Sequence, residues 1–211
     1  RPATLNELHR PFRVGNDLTE ANAGLEPERL KGIEAGLAFA ADRIEATATV
    51  FRTALDRAIV NVTVAEGPGT FPRAGFVPAG GVLRQRMNAG TIEATGVELA
   101  LEARPSAALT LTAAVSGTDA RMDGGVLAPL LTGLRPAQAP VWSAVVGAVW
   151  RAGDRLTLDG RLTYESARFE DDLNSRVLGA GLNADLRAEW RLSPGAALWL
   201  AAQNLADARI E

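Results

Sequence analysis

The sequence contains no cysteine, which excludes disulfide staples, thiolate metal sites and cysteine nucleophiles together. Lysine is nearly missing as well, since Lys31 is the only one among 22 basic residues. With a formal net charge of -3 and no run of positive charge, the chain cannot neutralise a phosphate backbone, so nucleic acid is not an expected partner. His9 is the only imidazole available for acid–base chemistry. Long apolar runs are missing too. The longest candidate, Ser143 to Trp150, falls far short of the ~18 to 20 residues that a membrane-spanning helix needs, which leaves a soluble protein or a β-barrel. The opening residues, Arg-Pro-Ala-Thr, show no charged region followed by an apolar core, and therefore no export signal.

What the 211 residues do contain is apolar content, 47 % of the chain against 22 % charged, and this excludes disorder and a coiled coil. The apolar residues recur at every second position. Ile33, Ala35, Leu37 and Phe39 alternate with Gly32, Glu34, Gly36 and Ala38; Ile44, Ala46, Ala48 and Val50 alternate with Glu45, Thr47 and Thr49. Further runs place Val97, Leu99, Leu101 and Ala103, then Leu109, Leu111, Ala113 and Val115, on one face each. Trp142 to Trp150 continues the pattern, although Val145 and Val149 blur its second face. Leu156 to Tyr164, Leu182 to Leu192 and a weaker run through Leu198, Leu200 and Ala202 complete the series.

The links between runs alternate in length. Short ones lie at Ala41–Asp42, Arg104–Ser106, Arg151–Asp154 and Ser193–Gly195; long ones, punctuated by Pro and Gly, span Thr53–Gly90, Arg121–Pro140 and Ala167–Leu178. A chain that turns tightly at one end and wanders at the other is an antiparallel meander of the outer-membrane barrel type. A soluble β-sandwich alternates in the same way, but its strands are typically ~5 to 6 residues, whereas a tilted strand crossing a bilayer needs ~9 to 11. The runs from Thr91 to Ala103 and from Asn183 to Leu192 favour the barrel. Phe39, Trp150 and Trp190 fall on the apolar parity close to short turns, where an interfacial girdle would lie, although aromatics total only 5 %.

Four segments resemble one family. Arg1-Pro2-Ala3-Thr4-Leu5-Asn6-Glu7-Leu8 is similar to the Arg-Ala-Pro-x-x-x-Glu-Leu segment of TonB-dependent outer-membrane receptors, with Pro and Ala exchanged. Asn22-Ala23-Gly24-Leu25-Glu26-Pro27-Glu28, leading into Glu34-Ala35-Gly36, resembles that family's Asn-Pro-x-Leu-x-Pro-Glu run, with Ala23 replacing the first proline. Asn88 through Gly96-Val97-Glu98 and Gln203-Asn204-Leu205-Ala206-Asp207 resemble two later motifs, the last with Ala206 in place of Phe. The resemblance implies an all-β fold: an antiparallel transmembrane β-barrel meander of which residues 1–211 are the C-terminal portion. About eight or nine strands of a 22-stranded wall would be present, with the plug domain, the upstream strands and the final strands outside the chain. It also implies import of a scarce extracellular ligand, such as a metal chelate or cobalamin, across the outer membrane of a Gram-negative bacterium. The implied partners are outer-membrane lipid, the receptor's own N-terminal plug and a TonB-type energiser acting through it. A passive porin-like or structural barrel is the alternative.

No enzyme is expected, because a serine triad would have to use His9 and no Gly-x-Ser-x-Gly elbow exists, and no cofactor or metal site is implied. Arg73, Arg84 and Arg86 lie in the longest link, where guanidinium groups can grip an anionic ligand, though the simpler reading of any one of them is surface charge on a long link. Glu170, Asp171 and Asp172 offer hard oxygen donors suited to calcium, though the simpler reading is a solvated loop tip. Asp159, Arg161, Asp185, Arg187 and Glu189 have the parity opposite the apolar residues. An arginine at mid-bilayer costs roughly 2 to 4 kcal/mol, so these charges are expected to face the lumen or a plug.

Overall fold

The computed structural model describes residues 1–208; the expectation about how the chain ends at Glu211 lies outside them. In chain order the elements begin with helix α1 (Leu5–His9), β1 (Phe12–Val14), β2 (Asp17–Glu20), β3 (Arg29–Ala41), β4 (Ile44–Asp56) and β5 (Ile59–Glu66). There follow β6 (Gly69–Phe71), β7 (Gly75–Val77), β8 (Val82–Asn88), β9 (Thr91–Ser106) and β10 (Leu109–Asp123). The series continues with a single 3-10 turn (Pro129–Leu131), β11 (Trp142–Ala152), β12 (Leu156–Glu165), β13 (Arg168–Phe169), β14 (Val177–Leu178), β15 (Gly181–Ser193) and β16 (Ala196–Ala202).

The eight alternating runs form one antiparallel sheet in the order β16-β15-β12-β11-β10-β9-β4-β3. It is open, with β3 and β16 at its edges, and its strands reach 16 residues in β9 and 15 in β10. Register carries the apolar parity from strand to strand: Leu37 pairs with Ala48, Ala48 with Leu99, Leu99 with Val115 and Val115 with Ala144. Further along, Val146 pairs with Leu162, Leu162 with Ala184, and Trp190 with Leu198. The result is one continuous apolar face. A one-residue slip in any ladder would break it, which is what fixes the register. Val145 and Val149, ambiguous in sequence, fall on the polar face opposite Thr163 and Asp159.

Nothing covers this face among the described residues. Leu37 is 81 % exposed and Leu200 74 %, and no second sheet packs against the first. A soluble sandwich would bury these side chains; here the buried apolar residues are Leu18, Ala58, Val62, Val77, Leu83, Ala89, Met122, Ala128 and Leu131, all at the long-link end. From Leu182 to Leu192 the apolar parity runs roughly 34 Å along the strand, or about 26 Å of depth at a tilt of ~40°, matching the ~25 Å lipid-facing band of outer-membrane barrels. Phe39, Trp150 and Trp190 lie near the short turns on the exposed apolar face, and Trp142 and Tyr164 form a second aromatic row at its other margin.

The link expected from Thr53 to Gly90 is more ordered than its Gly and Pro content suggests. Strands β4 and β9 stay paired out to Asp56 and Thr91, kink at Arg57–Ala58 and Ala89–Gly90, and continue as the antiparallel pair β5–β8. Gly90 is required at the kink: its φ is +80°, and a Cβ there would overlap the Asp123 carbonyl. β5 and β8 join β1 and β2 in a four-stranded sheet of order β1-β2-β8-β5, within which β2 runs parallel to β8. That pairing departs from the purely antiparallel expectation. A hairpin linking β6 and β7 caps the excursion, and β13 and β14 form a small hairpin in the β12–β15 link.

Candidate functional site

The long-link end is built by side chains that fasten separate segments to one another. In the N-terminal segment Thr4 caps α1 by accepting from the Glu7 N–H, while Glu7 accepts from the Thr4 N–H (2.7 Å) and hydroxyl (2.9 Å), a reciprocal capping box. Arg1 donates to both Glu7 carboxylate oxygens at 3.0 Å. The Arg1 hydrogen bonds, with those from Thr4, outweigh partial burial and hold the Glu7 carboxyl at a pKa of about 2. Glu28, buried, accepts from the Ile59 N–H at 2.9 Å and pairs with Arg1 at 2.8 Å. Asn88 donates to the carbonyls of Glu26 (2.9 Å) and Arg57 (2.8 Å) and accepts from the Glu26 N–H. Asn22 donates to the Arg86 carbonyl at 2.9 Å. The motif residues Asn22, Glu28 and Asn88 are thus fasteners that hold residues 1–28 against the β4–β9 pair and its β5–β8 extension, while Glu7 closes the N-terminal turn on itself.

A second set of contacts joins the N-terminal segment, the β5–β8 hairpin and the β12–β15 link. Arg84 on β8 donates to Asp17 on β2 at 2.9 Å and lies 3.7 Å from Asp172. Asp172 accepts from the Thr63 N–H (2.8 Å) and hydroxyl (2.9 Å) on β5. Arg176 reaches Asp17 at 3.6 Å and Glu170 at 3.4 Å. Burial disfavours the charged form of Asp17, but the Val82 N–H and Arg84 outweigh it and hold the carboxyl below its ordinary range. Asp171 shows the same balance: burial pushes its carboxyl up, and the N–H groups of Ser175, Arg176 and Leu173 more than reverse this. The β10–β11 link joins the assembly through Asn174, which exchanges hydrogen bonds with the Arg135 backbone at 2.9 Å. Beneath it Val62, Ala89, Met122, Ala128 and Leu131 form a small apolar core.

These segments enclose a cleft of about 530 Å³ lined by Phe12, Asp17, Asn61, Arg84, Arg86, Met122, Gln138, Glu170, Asp171, Asp172 and their neighbours. Five of the six residues anticipated as ligand contacts, Arg84, Arg86, Glu170, Asp171 and Asp172, come together in its wall. Arg73 does not; it sits at the β6–β7 tip and pairs with Glu20 at 2.9 Å. Two members of the acidic triplet are not at a solvated loop tip, while Glu170 remains exposed. Asp171 and Asp172 are only 5 % and 6 % exposed, because the β12–β15 link folds back so that each carboxylate collects N–H donors. No cluster of three or more metal-ligating side chains occurs among the described residues. Sequence spacing did not single out Asp17, Thr63 and Arg176, which meet partners distant in the chain: Arg84 for Asp17, Asp172 for Thr63 and Asp17 for Arg176.

The five charges of opposite parity, Asp159, Arg161, Asp185, Arg187 and Glu189, share the polar face of β12 and β15. Opposite signs meet across the ladder: Asp159 pairs in register with Arg187, and Arg161 with Asp185. Asp185 also accepts from the Asn204 N–H at 3.0 Å, fixing the segment after β16, and Arg187 lies 5.7 Å from the Trp199 ring centre.

A family model described as TonB dependent receptor-like, beta-barrel, matches residues 1–205. No curated protein matches the chain. Among solved structures, the copper transporter OprC superposes with a TM-score of 0.71 at 17 % identity over 98 % of this chain and 30 % of its own. The ferric yersiniabactin uptake receptor of Yersinia pestis gives a TM-score of 0.67 at 17 % identity, covering 85 % of this chain and 25 % of that one. The ferric enterobactin receptor of Pseudomonas aeruginosa gives 0.63 at 20 % identity, covering 90 % and 27 %. At such identities the structural likeness speaks for the fold, and the chain spans between a quarter and three-tenths of the length of these three proteins. With the family match running almost its entire length, the chain belongs to the TonB-dependent receptors and is part of their β-barrel.

Proposed function

We propose that residues 1–211 are the C-terminal portion of the barrel of an outer-membrane receptor in a Gram-negative bacterium. The receptor imports a scarce extracellular solute, such as a metal chelate or cobalamin, and an inner-membrane energiser of the TonB type acts on a plug domain supplied elsewhere in the full protein. The observation that carries this reading is the uncovered apolar face of the eight-stranded sheet, with all the buried packing gathered at the long-link end. That face suits lipid, the polar face with its paired charges suits a plugged lumen, and the fastened links suit an extracellular vestibule. Within the vestibule, Arg84, Arg86, Glu170, Asp171 and Asp172 are candidate ligand contacts, with Arg73 beside them at the hairpin tip. Asp159, Arg161, Asp185, Arg187 and Glu189 are candidate plug contacts. Neighbours whose names record ferric-siderophore and copper uptake agree with a metal complex as cargo.

The test is accumulation of radiolabelled ferric and cupric complexes by cells that carry or lack the full-length gene, with and without a protonophore. Uptake that requires both the gene and the proton gradient is the expected result. Gene-dependent uptake that survives the protonophore would instead make the protein a passive porin.

A further inference from the structure

The arginines that looked suited to gripping an anion are already engaged. Arg84, whose side chain is only 14 % exposed, bridges Asp17 and Asp172. Arg176 is shared by Asp17, Glu170 and Asp171. Arg86 donates to the carbonyls of Asn6 and Arg10 and lies over the Phe12 ring at 5.0 Å. Of the remaining cations in the N-terminal segment, Arg13 donates to the Phe76 carbonyl at 2.8 Å, and neither Arg10 nor Arg13 lines the cleft. The lining therefore sets five carboxylates, Glu7, Asp17, Glu170, Asp171 and Asp172, against three arginines, Arg84, Arg86 and Arg176, a balance of -2. Adding the ion-paired Arg1 and Glu28 behind it leaves that balance unchanged. An anionic ligand that drew on Arg84 would pull it away from Asp17 and Asp172, leaving the buried Asp172 without this counter-charge and Asp17 dependent on Arg176 at 3.6 Å, and uncovering a buried carboxylate is among the costlier events in a protein. A ligand without negative charge faces no such exchange.

We infer that this wall of the vestibule selects for a cargo of zero or positive net charge and against polyanionic chelates. The inference rests on the uptake reading above and narrows its substrate class. Charge complementarity of this kind acts on discrimination and on capture rate.

The experiment titrates the purified full-length receptor, in detergent at low ionic strength, with three iron complexes: a cationic ferric hydroxamate, a neutral ferric hydroxamate and a trianionic ferric tris-catecholate. The expected result is binding of the cationic or neutral complex at least about tenfold tighter than the trianion, a gap that narrows as salt is raised. Glu170→Lys, at a half-exposed position on the cleft rim, narrows the same gap by about threefold or more by reversing one charge. Equal or tighter binding of the trianion overturns the inference while leaving the receptor a receptor. Binding of none of the three also overturns it, and protonophore-sensitive uptake of some other solute would then still uphold the uptake reading.

Discussion

Leu186 and Arg187 are neighbours on β15, yet their side chains belong to different surroundings: Leu186 joins the uncovered apolar face opposite Gly160, and Arg187 faces Asp159 across the ladder. Burial alone does not separate them, since both are exposed; the distinction is the solvent each face meets. Leu186→Arg in the full-length receptor should lower the yield of folded, heat-modifiable barrel in outer membranes, by an equilibrium penalty of roughly 2 to 4 kcal/mol, while Arg187→Leu leaves assembly near wild type. Equal losses would mean that no lipid face exists there. Parity of this kind was fully legible in the sequence because it depends only on spacing. The fastener residues were legible only as motif letters. That Asn88 binds the Glu26 and Arg57 backbones, or that Asp172 takes two donors from Thr63, depends on contacts 31 to 109 positions apart, which no local pattern encodes.

Among the elements, the eight long strands could be read from the chain because each repeats its period-two signal over enough residues to outweigh local noise. The short links were placed to within a few residues: Asp42–Arg43, Gly153–Arg155 and Pro194–Gly195 lie between the paired strand ends. The excursion between β4 and β9 was not legible. Its strands are short, its Gly67-Pro68-Gly69 and Pro78-Ala79-Gly80-Gly81 segments resemble turn punctuation, and β2 pairs in parallel with β8 from more than sixty residues away. What stabilises this region is the Asp17–Arg84–Asp172 bridge between the three segments. Arg84→Met should therefore loosen them together, by about 2 to 3 kcal/mol given that the bridge keeps some contact with water. Hydrogen exchange would show it: the Thr63 and Val82 amides, which donate to Asp172 and Asp17, lose protection, and the β11–β12 ladder amides do not. Loss confined to one segment would contradict the coupling.

For the whole molecule, the division of labour among the described residues is between a wall whose apolar face is uncovered and a rim that holds the buried apolar packing. An open eight-stranded sheet with free edges at β3 and β16 and a continuous apolar face is not a stable soluble object. The isolated chain should sediment as an aggregate in detergent-free buffer; a monomer that unfolds cooperatively would require the apolar face of the large sheet to be packed into a core, and among the described residues nothing covers that face. Whether the apolar face meets lipid can be read from a nitroxide scan along β15 of the full-length receptor in bilayers, one label at a time from residue 182 to residue 191. A lipid-facing surface gives a strict period of two: labels at Leu182, Ala184, Leu186, Ala188 and Trp190 relaxed strongly by dissolved oxygen and weakly by a water-soluble nickel chelate, and labels at Asn183, Asp185, Arg187, Glu189 and Arg191 showing lower oxygen access. Even-numbered positions shielded from both reagents would show that the apolar face is packed inside protein and that no lipid-facing wall exists.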